Sequence, residues 1–493
     1  MDTPRAYEKL FIGGDWVAPA GGRVLTSIDP STEEVWAEIA LPGEAEVELA
    51  VTSARAALRG PWSRMSPSKR GELLTRLANL IRRDAAALSE LESRDNGKPL
   101  RDTRGEVERA ADWITFFAGA ADKINGEQIP YRPDALAYTR REPIGVVAAI
   151  LPWNSPISMY AWKLGPALAA GNAIILKPAE QTSVTAMEFG KLVQEAGFPA
   201  GVVSILPGYG AEVGAALAAH PGVNKVAFTG EHSTAQQIMK SASVNLKRCT
   251  FECGGKSPHI IFADADIERA TQVAIHSAFR STGQSCSLGS RLFVHRSIYE
   301  GVQARIAEVA GRIRVGRALD PQAHIGPHTS AEQLAKTMKY IGIAKDEGAR
   351  LLSGGGRPEG LDRGYFVRPT VFADVDNRST LAQQEVFGPV LAIIPFDTEE
   401  EVVAMANDTQ YGLVAGLWTS DVTRAHRVAH QIEAGLVSVN TYRPIHYMLP
   451  YGGYKLSGIG RENSIDVINH YTEIKTVVVS LAETAEPGPF DDI

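Results

Sequence analysis

Cysteine is scarce in this chain, with 3 in 493 residues. That odd count is far too small for a disulfide scaffold and suits a reducing compartment, so a cytoplasmic location is expected. No run reaches the roughly 18 uninterrupted apolar residues that a membrane span requires, and the opening MDTPRAYEKLF has no charged-then-apolar signal pattern. A protein that neither crosses a membrane nor is exported is expected. No Lys/Arg block stands out, and a formal net charge of -7 offers no field for holding a phosphate backbone, so nucleic acid is not expected as a partner. Internal repeats and low-complexity tracts are missing, and so is a full GxGxxG fingerprint.

What remains is an ordinary globular composition, 44% hydrophobic and 22% charged, long enough for two or three domains. Residues 43 to 60 and 66 to 96 read as amphipathic packing helices, the second with Leu73, Leu77, Leu80 and Ile81 at spacings of three or four. REPIGVVAAILPW, GNAIILKP, GVVSILPG and KVAFTG are short Val/Ile-rich runs, each followed by Gly or Pro and separated by helical stretches. Strand, turn and helix in repetition predict an α/β fold with a parallel sheet. KRCTFECGGKS adds a strand in which Cys249, Phe251 and Cys253 face one way and Thr250 and Glu252 the other. A second α/β half follows through SRLFVH, GYFVRPTVFADV, PVLAIIPF and AGLVSVN, joined to the first near Gly254 and Gly255. HYTEIKTVVVSL reads as a last strand that could pair with another subunit.

Of the three thiols, Cys286 in FRSTGQSCSLGSR alone lacks a hydrophobic strand context, and its small polar neighbours leave room for a substrate. It is the candidate nucleophile, while Cys249 and Cys253 read as inert core residues. With no His or third Cys near the CxxxC pair, no metal site is expected. Glu252 is either a strand-end salt-bridge partner or a carboxylate in a cleft, where desolvation would raise its pKa into the range of a general base. Asn154 in LPWNSP follows an apolar strand, where it is a turn residue or an oxyanion donor. For a dinucleotide, KVAFTGEHSTA offers Gly230, and PGYGAEVG, with Gly208, Gly210 and Gly214, is a rival of similar quality. Lys177 and Glu180 follow the IIL strand, where a carboxylate can accept from ribose hydroxyls.

The order PWNSP, KPAEQT, FTG, ECGGKSP, GQSC, EVFGPV and PYGGYKLSGIGRE, within a likeness that runs from about residue 10 to 480, resembles the NAD(P)-dependent aldehyde dehydrogenase superfamily. The resemblance implies two Rossmann-like α/β domains plus a small β oligomerisation element. Residues 1–121 and 143–252 would bind NAD, 253–462 would form the catalytic domain, and 122–142 with 463–493 would bridge subunits in a homodimer or homotetramer. It further implies that Cys286 attacks an aldehyde, that Asn154 and the Cys286 N–H hold the oxyanion, and that Glu252 activates water to release a carboxylic acid. Lys177 and Glu180 would hold the adenosine ribose, Glu385 and Phe387 the nicotinamide end, and Trp153 would lie by the adenine. A carboxylate at Glu180 favours NAD over NADP, though a small displacement would admit NADP.

Two departures stand out within that resemblance: Glu231 replaces the usual Ser after FTG, where it would repel a diphosphate, and Ala235 replaces a later Gly. Ser155, Ser158, Met159, Trp162, Ser285 and Ser287, with the TYRPIHYMLPY loop that ends in Tyr451, would line the aldehyde tunnel. Several family members carry an aromatic where this chain has Ser155, which predicts a wider or more polar tunnel. Arg443 in that loop forms a surface or interface ion pair or receives a distal carboxylate, with His446 nearby. Two other functions fit the same motifs less well: a coenzyme A-acylating semialdehyde dehydrogenase, and a non-catalytic NAD-binding structural protein.

Overall fold

The computed structural model describes residues 3–483 and 488–490. The four Val/Ile-rich runs fold as the strands Val146–Ile150, Ala173–Lys177, Val203–Ile205 and Lys225–Thr229, and Arg248–Glu252 joins them in parallel. The first three are buried throughout, as expected of strands covered on both faces. Their spatial order explains where a ligand can sit. From Val146–Ile150 the chain steps outward through Ala173–Lys177 to Val203–Ile205, then returns to the other side of Val146–Ile150 with Lys225–Thr229 and Arg248–Glu252. The direction of winding reverses between Val146–Ile150 and Lys225–Thr229, and such a reversal opens a crevice at the carboxyl ends of the two strands.

The antiparallel strands Leu10–Ile12, Asp15–Val17 and Gly458–Ile459 complete an eight-stranded sheet. The last of these departs from expectation, because residues 458–459 fall in the stretch assigned to the catalytic half yet pair with Phe251 and Glu252. Three residues on, Glu462 meets Lys163 of the Pro156–Ala169 helix at 2.6 Å, both side chains fully buried. A buried charge must keep its partner, so the segment is tied to the first sheet.

The second half is a seven-stranded sheet of six parallel strands with antiparallel Arg350–Ser353 on one edge. Pro258–Ile261, an interior strand of this sheet, follows Arg248–Glu252 through Gly254 and Gly255, so the two sheets meet at that junction. The predicted alternation around it holds. Phe251 and Cys253 pack in one apolar cluster with Cys249 at its edge, and burial pushes the Cys253 thiol up to about 12.

The stretch 66–96 forms two helices, Pro67–Arg83 and Ala85–Asn96, because Asp84 leaves the helical region at φ −100° and ψ 15°. Leu73, Leu77 and Ile81 are buried as their spacing predicts. The stretch 43–60 is the helix Glu44–Ala57. Thr472–Ser480 pairs along its whole length with Ala135–Pro143, which in turn pairs with Gln128–Arg132. This three-stranded sheet joins the two segments expected to bridge subunits. Residues 484–487 and 491–493 of those segments, and residues 1–2 of the stretch expected to bind NAD, lie outside the described residues.

Candidate active site

The crevice implied by the strand order is present. Trp153 and Asn154 follow Val146–Ile150, Gly230 and Glu231 follow Lys225–Thr229, and these four line a cavity of about 140 Å³. Of the two rival glycine turns, only FTG reaches it: residues 210–214 form a single wide helical turn elsewhere. Glu231 is the N-cap of the His232–Ala242 helix, and its side chain bonds none of the first-turn N–H groups. Those amides therefore remain open to an anion. Lys177 and Glu180 do not line this cavity. They sit one strand over, where Lys177 is in register with Ile150, and they pair with each other at 3.1 Å.

Glu385 and Phe387 form the opposite wall. The Gly255 N–H donates to Glu385 Oε1 at 3.0 Å, yet burial dominates and holds the carboxyl up at about 7. A Cβ on Gly254 would stand 2.0 Å from the same carboxylate, so a larger residue there would displace the Glu385 side chain. Phe387 meets Trp153 edge-on, with ring centroids 5.1 Å apart. Trp153, expected by the adenine, thus packs on the residue expected at the nicotinamide end.

The loop carrying Cys286 is bent hard just before the sulfur. Ser281 and Thr282 have φ of 54° and 57°, a region that non-glycine residues rarely adopt. At Gly283, φ 66°, a Cβ would lie 2.3 Å from the Gly388 backbone. The turn is closed by the Leu288 N–H donating to the Ser285 carbonyl at 3.2 Å, which leaves the Cys286 N–H out of its bonding. Cys286 is half-buried, and its Sγ lies 3.5 Å from the Tyr451 hydroxyl. Burial raises the thiol pKa, opposed by the Tyr451 hydrogen bond and the Arg443 charge. Asn154 uses one N–H of its amide on the Gln284 carbonyl at 3.0 Å, which leaves its second for another acceptor.

Among the described residues Glu252 makes no salt bridge. It is buried, and neither carboxylate oxygen has a hydrogen-bond partner. Burial, reinforced by Glu462, raises its pKa well above the usual carboxylate range, while Lys163 and Arg461 oppose the shift. An unpartnered carboxyl costs stability, and such groups persist where chemistry uses them.

A second cavity, of about 250 Å³, opens on the other side of Cys286. Ser155, Ser158, Met159 and Trp162 line it from the 154–162 stretch, Ser285 and Ser287 flank the sulfur, and Arg443 and Tyr451 close it from the late loop. Arg443 is half-buried and donates to Ser285 Oγ at 2.6 Å and to Ser287 Oγ at 3.1 Å. Within the chain Arg443 forms no ion pair, since no carboxylate lies within 4.0 Å of it among the described residues. His446 points away, exposed and packed on the Tyr447 ring. Sequence reasoning missed Lys98, Glu106, Arg109, Trp113 and Arg280, which also line this cavity. Glu106, Arg109 and Trp113 stand on one face of the Leu100–Ala120 helix, at spacings of three and four that were there to be read.

Asn154, Thr229, Glu252 and Cys286 line both cavities, so the two spaces meet at the thiol. The fold and site thus define a doubly wound α/β protein whose switch-point crevice ends on a cysteine. The model of the aldehyde dehydrogenase family matches residues 16–477. The candidate aldehyde dehydrogenase DhaS of Bacillus subtilis strain 168 is 43% identical over 97% of this chain and 96% of its own. Among solved structures, an NAD+ complex of an aldehyde dehydrogenase from Bacillus cereus superposes with a TM-score of 0.95 at 42% identity, covering 97% of each chain. Betaine aldehyde dehydrogenase from Staphylococcus aureus, also with NAD+, gives a TM-score of 0.95 at 36% identity over 97% and 96%. The chain belongs to the aldehyde dehydrogenase family.

Proposed function

We propose that the protein oxidises an aldehyde to a carboxylic acid with NAD, through a thioester on Cys286. The observation that carries this reading is the shared wall: a nucleophile, an amide donor and a buried carboxyl stand between two cavities, one for each reactant. The residues of the switch-point cavity fit NAD. Open amides at the start of the His232–Ala242 helix suit a diphosphate, and Phe387 with Trp153 presents an aromatic wall to the nicotinamide, while Glu180, outside the cavity and one strand over, suits a ribose. Bound there, NAD supplies the hydride acceptor.

In this reading the ionised Cys286 Sγ adds to the aldehyde carbon, forming the C–S bond, and the carbonyl electron pair moves to oxygen. The Cys286 N–H and the second Asn154 N–H meet that oxyanion. Loss of hydride from the same carbon leaves the thioester. Glu252 then takes a proton from a water whose oxygen attacks the thioester carbon; the C–S bond breaks and Sγ leaves as thiolate with the acid. A raised pKa suits this base, which holds a proton more tightly than an exposed carboxylate. Assembly as a homodimer or homotetramer is supported by the edge strand Thr472–Ser480, which leaves Ile474, Val478 and Val479 exposed. The test is NAD reduction across an aldehyde panel, with acid as the product and no requirement for coenzyme A. NADH that appears only with coenzyme A would assign an acylating enzyme instead.

A further inference from the structure

Three arginines from separate segments converge on the second cavity: Arg109 on the Leu100–Ala120 helix, Arg280 just before the nucleophile loop, and Arg443 in the late loop. Only two carboxylates line the same space, and neither offsets them. Glu106 is committed to Lys98, whose ammonium donates to both its oxygens at 2.7 Å. Glu252 lies at the inner wall, buried and without a hydrogen-bond partner. Arg280 has a partner in Asp102, Nε to Oδ1 3.4 Å. Among the described residues neither Arg109 nor Arg443 has a carboxylate within 4.0 Å; Arg443 bonds only to hydroxyls.

Two unpaired guanidinium groups in a half-enclosed space are costly, because each gives up water without gaining an anion. They also repel one another. Arg109 is held below the usual arginine range by burial first and then by the charges of Arg280 and Arg443, against the opposing pull of Glu106. Arg443 adds backbone strain, with φ 54°. An arrangement that is unfavourable when empty and complementary to one class of guest is the mark of a binding site. The guanidinium fork is shaped for a planar carboxylate.

Resting on the dehydrogenase reading, we infer that the preferred substrates are semialdehydes, whose aldehyde reaches Cys286 while a carboxylate at the far end is held by Arg109 and Arg443 with Arg280 beside them. Ser155 completes the setting: its hydroxyl accepts from the Lys98 ammonium at 3.1 Å, so this wall is polar where an aromatic ring would make it apolar.

The test compares kcat/KM, with NAD, for succinic semialdehyde against butanal and for glutaric semialdehyde against pentanal. At least one semialdehyde is expected to exceed its uncharged counterpart by about tenfold or more, the size of a charge-assisted hydrogen bond. That ratio is expected to fall at least about fivefold in Arg109→Met and to fall in Arg443→Lys, which keeps the charge but loses the fork. Should either variant not fold, competition in the wild type decides: glutarate inhibits pentanal oxidation competitively and uncharged glutaramide does not. Equal or better efficiency with butanal and pentanal, or equal inhibition by glutarate and glutaramide, would overturn the inference and leave the dehydrogenase reading intact. NADH from none of the four aldehydes would overturn both.

Discussion

The switch-point cavity and the second cavity share a wall at Cys286, yet they are made from different kinds of backbone. The first is assembled from the carboxyl ends of adjacent parallel strands, where the sheet alone decides that 152–154 and 229–231 meet. The second is assembled from a helix face at 106–113, a helix start at 155–162 and two loops around 280–287 and 443–451. A site on strand ends is fixed by topology, whereas one on helix faces and loops can vary without disturbing the sheet. Reactant chemistry shared across a family belongs on the first kind of scaffold and substrate choice on the second.

The largest expected effect comes from the wall itself. Cys286→Ala should reduce NADH formation to background while NAD still binds, checked by aldehyde-dependent absorbance alongside cofactor titration. Cys253→Ala is the internal contrast: that thiol also borders the switch-point cavity, but it is buried in the apolar cluster with Phe251 and held protonated by burial, so its loss should leave turnover largely intact at a packing cost of about 1 kcal/mol. If the two variants behaved alike, the wall would not be where the cavities do their chemistry.

Glu252→Gln comes next. It should lower steady-state turnover by about a hundredfold or more and spare the first burst of NADH, because the amide cannot take a proton from water. In the wild type, steady-state turnover should go on rising with pH above the range in which an ordinary carboxylate has already ionised. The raised pKa keeps Glu252 protonated, and so unable to act as base, to a higher pH than an ordinary carboxylate. Equal slowing of the burst in rapid-mixing traces would move Glu252 from the water step to the thiol step.

Much of the switch-point cavity was legible in sequence because each of its parts follows a strand that announces itself: Asn154 after VVAAIL, Gly230 after KVAFT, Glu252 at the end of RCTFE. Trp153 shows the limit. Its place after the strand was readable, but its contact with Phe387 joins residues 234 positions apart, and no local pattern carries that. The second cavity was only half legible. The residues assigned to it after PWN and beside the nucleophile do line it, but of the late loop only Arg443, Ile445 and Tyr451 do, and Arg109 and Arg280 went unnoticed because a charged residue on an amphipathic helix or at a helix end looks the same whether it faces solvent or a cavity. Lys98 and Glu106 were hidden for a related reason, since their pairing is buried and sequence gives no sign of burial.

A smaller effect sharpens the contrast from the side of the second cavity. Tyr451→Phe removes the hydroxyl 3.5 Å from Cys286 Sγ, one of two influences that hold the thiol pKa down against burial. Loss of a hydrogen bond worth about 1 kcal/mol should slow the burst about fivefold at neutral pH. Raising the pH should recover the rate, because the raised thiol pKa is overcome by lower proton concentration. A pH profile of burst rate that shifts to the alkaline side checks this; an unshifted profile of lower height would mean that Tyr451 only shapes the cavity.

The smallest expected effect lies at the far side of the switch-point cavity. Glu231 is exposed at the start of the His232–Ala242 helix, where a carboxylate favours the helix itself through its N-terminal dipole. The same charge opposes any diphosphate drawn to those amides, and it adds to the burden on Glu385 across the cavity. Glu231→Ser removes the repulsion and supplies a hydroxyl that can cap the helix, so the stability of the fold should change little. NAD should bind about two- to threefold tighter at low salt, a gain that shrinks as salt screens the charge. Cofactor titration at two ionic strengths reads both parts. A gain independent of salt would trace to the serine hydroxyl, and no gain at either would mean that Glu231 turns its charge to solvent and that the family's usual serine is dispensable here.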